Sequence, residues 1–462
     1  MLSGVSENLT FHASPESFIV NHVLHYHKQH PGEVANRVPL RAKILNRNVI
    51  IVSAYHQVRA VLCPRDERTD DEGDGKVPYV AAAPYKRLME AFFPPPNLLL
   101  NDGCPHRKMK EPWAVCVQSL ESEKMQSRIV ARTSGLIKRL VGSEAVDLYK
   151  ELKELSWEIF LSTVLDFSPA DQGYAEYVRL QEDLLRGQFS LLPVSINAGI
   201  WHSPRKTGIG ARKKLQSIIL DRLRSRRPVW ISEDVLKSRP EEEIVNHLLM
   251  STSSLAVKAF SSLLLAFLLN VYLFGGDDAV PGQILKWIAT GSPQEAEEKA
   301  EAVLQETLRL SPPIVGVMRR ATTERTLPSL GSSESDTMVP ASWDVWSYFP
   351  GANRDHAVFG GDADYFKMAR YLVDDSRLPP PIAFGLGSKT CLGQQFVFKA
   401  ATAVLQAFRQ SRVELKGSVI SPGMKGWLGW EIASPEQWAK DIKQLPTQRP
   451  SKPTMIHVIR NT

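Results

Sequence analysis

Cys391 stands in a run suited to presenting one sulfur: Phe384-Gly385-Leu386-Gly387-Ser388-Lys389-Thr390-Cys391-Leu392-Gly393. Its glycines let the backbone take positive φ or approach a neighbour closely. A helical pattern, Gln394 to Arg409, begins immediately afterwards. A thiolate there lies near a helix N-terminus, where the dipole and N–H groups favour negative charge and lower a thiol pKa. Such a loop can offer an anionic sulfur to a metal, with small residues leaving room for a flat macrocycle. The plain alternative is a lone buried cysteine in a glycine-rich turn.

A second pair, Glu306 and Arg309, lies in Ala296–Leu310, which reads as an amphipathic helix stopped by Pro312-Pro313. Residues at i and i+3 share a helix face and can pair. Downstream comes Phe366-Lys367-Met368-Ala369-Arg370-Tyr371, and then the cysteine run with its pattern Phe-x-x-Gly-x-x-x-Cys-x-Gly. This ordered set resembles the Glu-x-x-Arg helix, the meander and the haem-binding loop of cytochromes P450.

The resemblance implies a mainly α protein with a small β-rich region, the cytochrome P450 fold, with residues 1–462 forming one haem domain. It implies heme b, its iron held by the Cys391 thiolate, with Phe384 packing on the sulfur side and Gly393 beside the cofactor. Glu306, Arg309 and Arg370 would form a buried structural cluster. His106 and Lys110 on the haem-facing helix Gly103–Trp113, Arg319 and Lys389 would hold the propionates. The alternatives are a surface histidine at 106 and Arg320 in place of Arg319. The substrate pocket would include Ala256, Lys258, Val315 and Gly316. The chain departs from the family pattern at Ala383 and His356, where proline is usual. It also carries Lys110 and Lys389 where arginine is usual, and lysine lacks the planar fork of arginine.

Ile244–Phe274 is expected to be one long central helix. Most oxygen-activating P450s carry an acid followed by an alcohol at its midpoint, a proton relay. Here no Asp or Glu occurs from Ile244 through Gly276, and four hydroxyls remain: Ser251, Thr252, Ser253 and Ser254. Thr252 is the candidate relay alcohol, and the equal alternative is that these side chains bond back to their own helix. Lys258 interrupts the apolar stretch; it is read as snorkelling to the surface, or else as binding a substrate carboxylate.

The elements around these residues follow from pattern. Helices are expected over Glu16–His30, Ser122–Leu140, Val146–Phe167, Tyr174–Phe189 and Gly208–Ser225, and a strand over Ala42–Val52. The chain has 462 residues, 43% hydrophobic and 23% charged, and a formal net charge of +6. That balance suits a soluble globular protein, and no aromatic-interleaved basic motif points to nucleic acid. Cys63, Cys104, Cys116 and Cys391 show no CxxC spacing. This argues against structural zinc and for a reducing compartment. The apolar run Leu263–Leu269 is too short to span a bilayer. The expected location is cytoplasmic or associated with the endoplasmic reticulum, with no N-terminal membrane anchor in this chain and a monomeric state.

The leading functional expectation is a monooxygenase of a lipophilic small molecule such as a terpenoid, sterol or other secondary metabolite. It would draw electrons from NADPH through a cytochrome P450 reductase, or from a ferredoxin. The missing acid favours an alternative, a reductase-independent isomerase, dehydratase or peroxygenase. A non-enzymatic haem protein is the third.

Overall fold

The computed structural model describes residues 7, 10–29, 38–44, 47–64, 77–190, 202–275, 280–328, 337–372, 378–419 and 442–460. Helices dominate. Labelled in chain order, those that matter here are α1 (Pro15–Gln29), α2 (Tyr55–Leu62), α3 (Ala82–Met89), α4 (Gly103–Gln118), α5 (Glu123–Leu140) and α6 (Leu148–Val164). They continue with α7 (Tyr174–Gln188), α8 (Pro204–Ser225), α9 (Glu241–Ser251), α10 (Ser254–Leu269), α11 (Pro293–Leu310) and α12 (Gln394–Gln410).

The β-rich part is a five-stranded sheet. Its strands are β1 (Leu40–Ile44), β2 (Arg47–Val52), β3 (Tyr79–Val80), β4 (Gly316–Ala321) and β5 (Asp344–Tyr348), in the order β1-β2-β5-β4-β3. β2 and β5 run parallel, Val49 opposite Asp344, and the other neighbours are antiparallel. The single strand expected over Ala42–Val52 is thus an antiparallel pair. A second sheet joins Val146–Asp147 to β7 (Thr454–Arg460) and β6 (Val413–Val419).

One large apolar cluster joins α4 to α12 and includes Trp113, Phe160, Phe260, Phe396 and Phe408. A smaller one lies between the sheet, α2 and the segment before the cysteine loop. α11 begins with a capping box, Ser292 and Glu295, and Pro293 occupies its first turn.

The central helix is not one rod. α9 ends at Ser251, Thr252 is its C-cap with φ −103°, and Ser253 caps α10 by accepting Ala256 N–H at 3.3 Å. The run Ser251-Thr252-Ser253-Ser254 explains the break. Ser251 and Thr252 donate to the carbonyls of His247 and Leu248 at 2.8 and 2.7 Å, while Ser253 supplies a fresh N-cap. Short hydroxyl side chains compete with the backbone ladder and favour caps. Glu241–Phe274 is apolar and long enough to cross a membrane, but 78% of its apolar window is buried inside the protein.

Candidate functional site

The cysteine loop runs from β-side contacts into the first turn of α12. Cys391 N–H donates to Phe384 O at 2.9 Å, closing the loop on itself. Gly387 has φ +70°, and a Cβ there would sit 2.6 Å from Leu62 O, so no other residue fits without displacing α2. The Cys391 residue is exposed, yet the protein walls around its sulfur push the thiol pKa up, against the Gly393 N–H and Lys110, which pull it down. Desolvation therefore outweighs the helix-terminus effect expected from sequence.

Two lysines lash this loop to α4. Lys110 Nζ donates to Ser388 O at 2.6 Å and Thr390 O at 2.8 Å. Lys389 Nζ reaches the other way, donating to Leu98 O at 3.0 Å and to Asn101 O, and pairing with Asp102 at 3.5 Å. Burial lowers the Lys389 pKa to about 8, opposed by Asp102 and aided by Arg319. His106 is buried, and desolvation followed by the charges of Lys389 and Lys110 lowers it to about 3. His106, Lys110, Arg319 and Lys389 thus share one basic recess. Arg319 is buried and donates to Met318 O at 2.9 Å. Arg320 turns instead to Asp344 at 2.8 Å.

Behind the loop, Glu306 and Arg309 are wholly buried and paired, Arg309 Nε to Glu306 Oε2 at 2.7 Å and Nη2 to Oε1 at 2.8 Å. Arg370 Nε meets Glu306 Oε1 at 3.1 Å and also pairs with Asp362 at 3.1 Å. Arg309 spends its remaining donors on the carbonyls of Asn353, Ala363 and Tyr365. Asn353 then bonds both backbone groups of Ile382, next to the start of the cysteine loop. The sequence offered no signal for Asn353 beyond its place before the meander.

The central-helix candidates separate. Thr252 is fully buried and shares a 2.6 Å hydrogen bond with Tyr177 of α7. Ser253 and Ser254 are buried, whereas Ser251 is exposed. Lys258 neither snorkels freely nor stands open to a ligand: its ammonium is bonded to Glu182 of α7 at 2.6 Å, and the side chain is 18% exposed. Burial lowers its pKa, opposed by Glu182. Ala256 is partly buried on α10. Val315 is 1% exposed and packs in the cluster with Phe11 and Trp346, which leaves it no surface for a substrate. Gly316 lies against Trp346 and Ser347, where a Cβ would clash, so its glycine serves sheet packing. These placements reflect long-range packing partners that local sequence does not announce.

The residues present fit a haem. The donor set is one thiol beside a recess holding two lysines, an arginine and an imidazole, which complements a dianionic group near a sulfur-bound metal. Gly393 has φ −90° and nothing within 4 Å of an added Cβ, so neither conformation nor the chain's own packing calls for glycine there. A flat group laid beside the sulfur would.

Comparison with known proteins points the same way. Residues 299–424 match the family model described as Cytochrome P450. Cytochrome P450 714A2 of Arabidopsis thaliana is 36% identical over 98 residues, 20% of this chain and 17% of that protein. Cytochrome P450 26A1 of Gallus gallus is 27% identical over 284 residues, 54% of each. The chain therefore spans between about a sixth and a half of the length of these two curated relatives. Among solved structures, a cytochrome P450 (CYP102L1) superposes with a TM-score of 0.71 at 16% identity, covering 97% of this chain and 99% of that one. A retinoic acid-bound cyanobacterial CYP120A1 gives 0.66 at 17%, covering 91% of each.

Proposed function

The chain belongs to the cytochrome P450 superfamily, and from that premise we propose that it is a haem-thiolate monooxygenase of a lipophilic small molecule. The observation that carries the reading is the Cys391 loop set beside the basic recess of His106, Lys110, Arg319 and Lys389. Cys391 would be the iron ligand, and His106, Lys110 and Arg319 would hold the propionates, because the three donors of the Lys389 ammonium go to Leu98 O, Asn101 O and Asp102. A thiolate-held haem supplies electron density that favours O–O cleavage. The chain's own part is to keep that sulfur fixed, which the Glu306–Arg309–Arg370 cluster and the two lysines do. Electrons would come from NADPH through a reductase or ferredoxin.

One observation favours a second reading, a reductase-independent isomerase, dehydratase or peroxygenase. The central helix has no carboxylate from Ile244 onward, and the Thr252 hydroxyl is committed to Tyr177 and Leu248 O. The two readings part on electron supply. Turnover with NADPH and a reductase supports the monooxygenase. Product formed from a hydroperoxide alone, with no NADPH consumed when reductase is added, overturns it.

A further inference from the structure

Both backbone polar groups of Leu98 are held. Its N–H donates to His247 Nε2 of α9 at 3.2 Å, and its carbonyl accepts Lys389 Nζ of the cysteine loop at 3.0 Å. One backbone unit thereby joins the central helix to the loop that bears Cys391.

The segment around it is built to transmit that contact. Pro94-Pro95-Pro96 restricts the chain through three fixed φ angles. Asn97, with no exposed surface, donates to Phe93 O and Pro94 O at 2.9 and 2.8 Å, and accepts Leu100 N–H at 2.9 Å. Asn246, next to His247, donates to Pro94 O at 3.0 Å and Pro96 O at 3.3 Å. At the far end Lys389 also takes Asn101 O and Asp102.

His247 is itself held rigidly. It is 5% exposed, and the Trp113 ring packs on it edge to face at 4.7 Å. Accepting from Leu98 requires a neutral ring with the proton on Nδ1, which is buried without a hydrogen-bond partner and has the Glu243 carboxylate 4.0 Å away. Burial and the Arg239 charge keep it neutral. With Nε2 occupied by a backbone donor, His247 is poorly set to shuttle protons and well set to hold a position.

We propose that Phe93–Asp102 is a strut fixing the thiolate loop against the central helix, with His247 and Lys389 as its two end fittings and positioning residues for Cys391. The proposal rests on the haem-thiolate reading of Cys391. It gives Lys389 a reason to be lysine. A compact ammonium can serve Leu98 O, Asn101 O and Asp102 in three directions, which the planar fork of arginine does not match.

The test uses the full chain and two measurements. The first is hydrogen exchange at the Leu98 amide, read with and without haem. The second is the rate at which the reduced carbon monoxide complex loses the Soret band characteristic of a thiolate ligand. His247→Ala and Lys389→Met each speed Leu98 exchange roughly ten-fold, the ratio equivalent to about 1.4 kcal/mol. Each also hastens loss of the thiolate band. The double variant adds little, because a strut released at one end no longer bears load at the other. His247→Gln, whose Oε1 replaces Nε2 as acceptor, restores wild-type behaviour. Lys389→Arg does not, whereas a residue that only neutralised a carboxylate would accept arginine.

Unchanged Leu98 exchange in the single variants, fully multiplicative effects in the double variant, or full function of Lys389→Arg overturns the strut. His247→Gln and Lys389→Arg keep the test open if His247→Ala does not fold. A wild-type chain lacking the thiolate band sinks the haem-thiolate reading instead, while exchange in the haem-free chain still decides whether Leu98 is held at both ends.

Discussion

Asn353 bonds both polar groups of the Ile382 backbone: Nδ2 donates to the carbonyl at 3.1 Å, and Oδ1 accepts the N–H at 2.8 Å. Because Asn353 O also accepts from Arg309 at 2.8 Å, the Glu306–Arg309 pair is connected to the approach of the cysteine loop by consecutive hydrogen bonds. The cluster thus positions the loop as well as stabilising the fold.

Breaking that line is expected to release Cys391 in two grades. Glu306→Ala leaves Arg309 charged and buried, at a cost of about 3–5 kcal/mol. Asn353→Ala orphans two backbone groups of Ile382, each worth about 1–3 kcal/mol when buried. Glu306→Ala also strips Arg370 and the Lys367 N–H of their shared acceptor, so denaturant titration should rank it as the weaker fold. Both variants should label faster at Cys391 with a thiol reagent, while Asn353→Ala still folds. Equal labelling of Asn353→Ala and the parent would separate the cluster from the loop.

The hydroxyls of the central helix should behave unequally. Thr252 is buried and bonded to Tyr177, so Thr252→Ala and Tyr177→Phe are expected to cost about 1 kcal/mol of stability each, and much less than additively together. Ser251 is the exposed member, and Ser251→Ala should leave stability within about 0.5 kcal/mol. If the chain is a monooxygenase, the ratio of product to NADPH should therefore respond to Ser251→Ala more than to Tyr177→Phe. The reverse order would return the relay to Thr252.

Acid should loosen the strut. His247 has its pKa lowered from 6.5 to about 4, first by burial and then by Arg239; Glu243 is the carboxylate facing it. A depressed value means the unfolded chain binds the proton more readily. The stabilisation is therefore complete above about pH 6.5 and is lost as pH falls toward 4, on the order of 3 kcal/mol in total. Thermal unfolding across that window should be flatter for His247→Gln than for the parent. The remaining slope falls to His106, lowered to about 3, along with the carboxylates. Identical slopes would mean that His247 is not held neutral in the fold.

Local order fixed a good deal of this protein. The helix carrying Glu306 and Arg309 was legible because its cap, apolar period and proline stop all lie within one stretch, and it begins only three residues earlier than expected, at Pro293. The cysteine loop was legible because its glycines and its sulfur are neighbours in sequence. The segment 244–274 reads as one rod because its apolar character masks three hydroxyls, Ser251 and Thr252, which back-bond, and Ser253, which caps. That Thr252 meets Tyr177 and Lys258 meets Glu182 depends on how α7 packs against α9 and α10. The Leu98 backbone is the plainest case: the partners of its N–H and C=O lie 149 and 291 residues away. A backbone N–H and C=O are the same at every position. Only the tertiary arrangement decides which imidazole and which ammonium arrive to satisfy them.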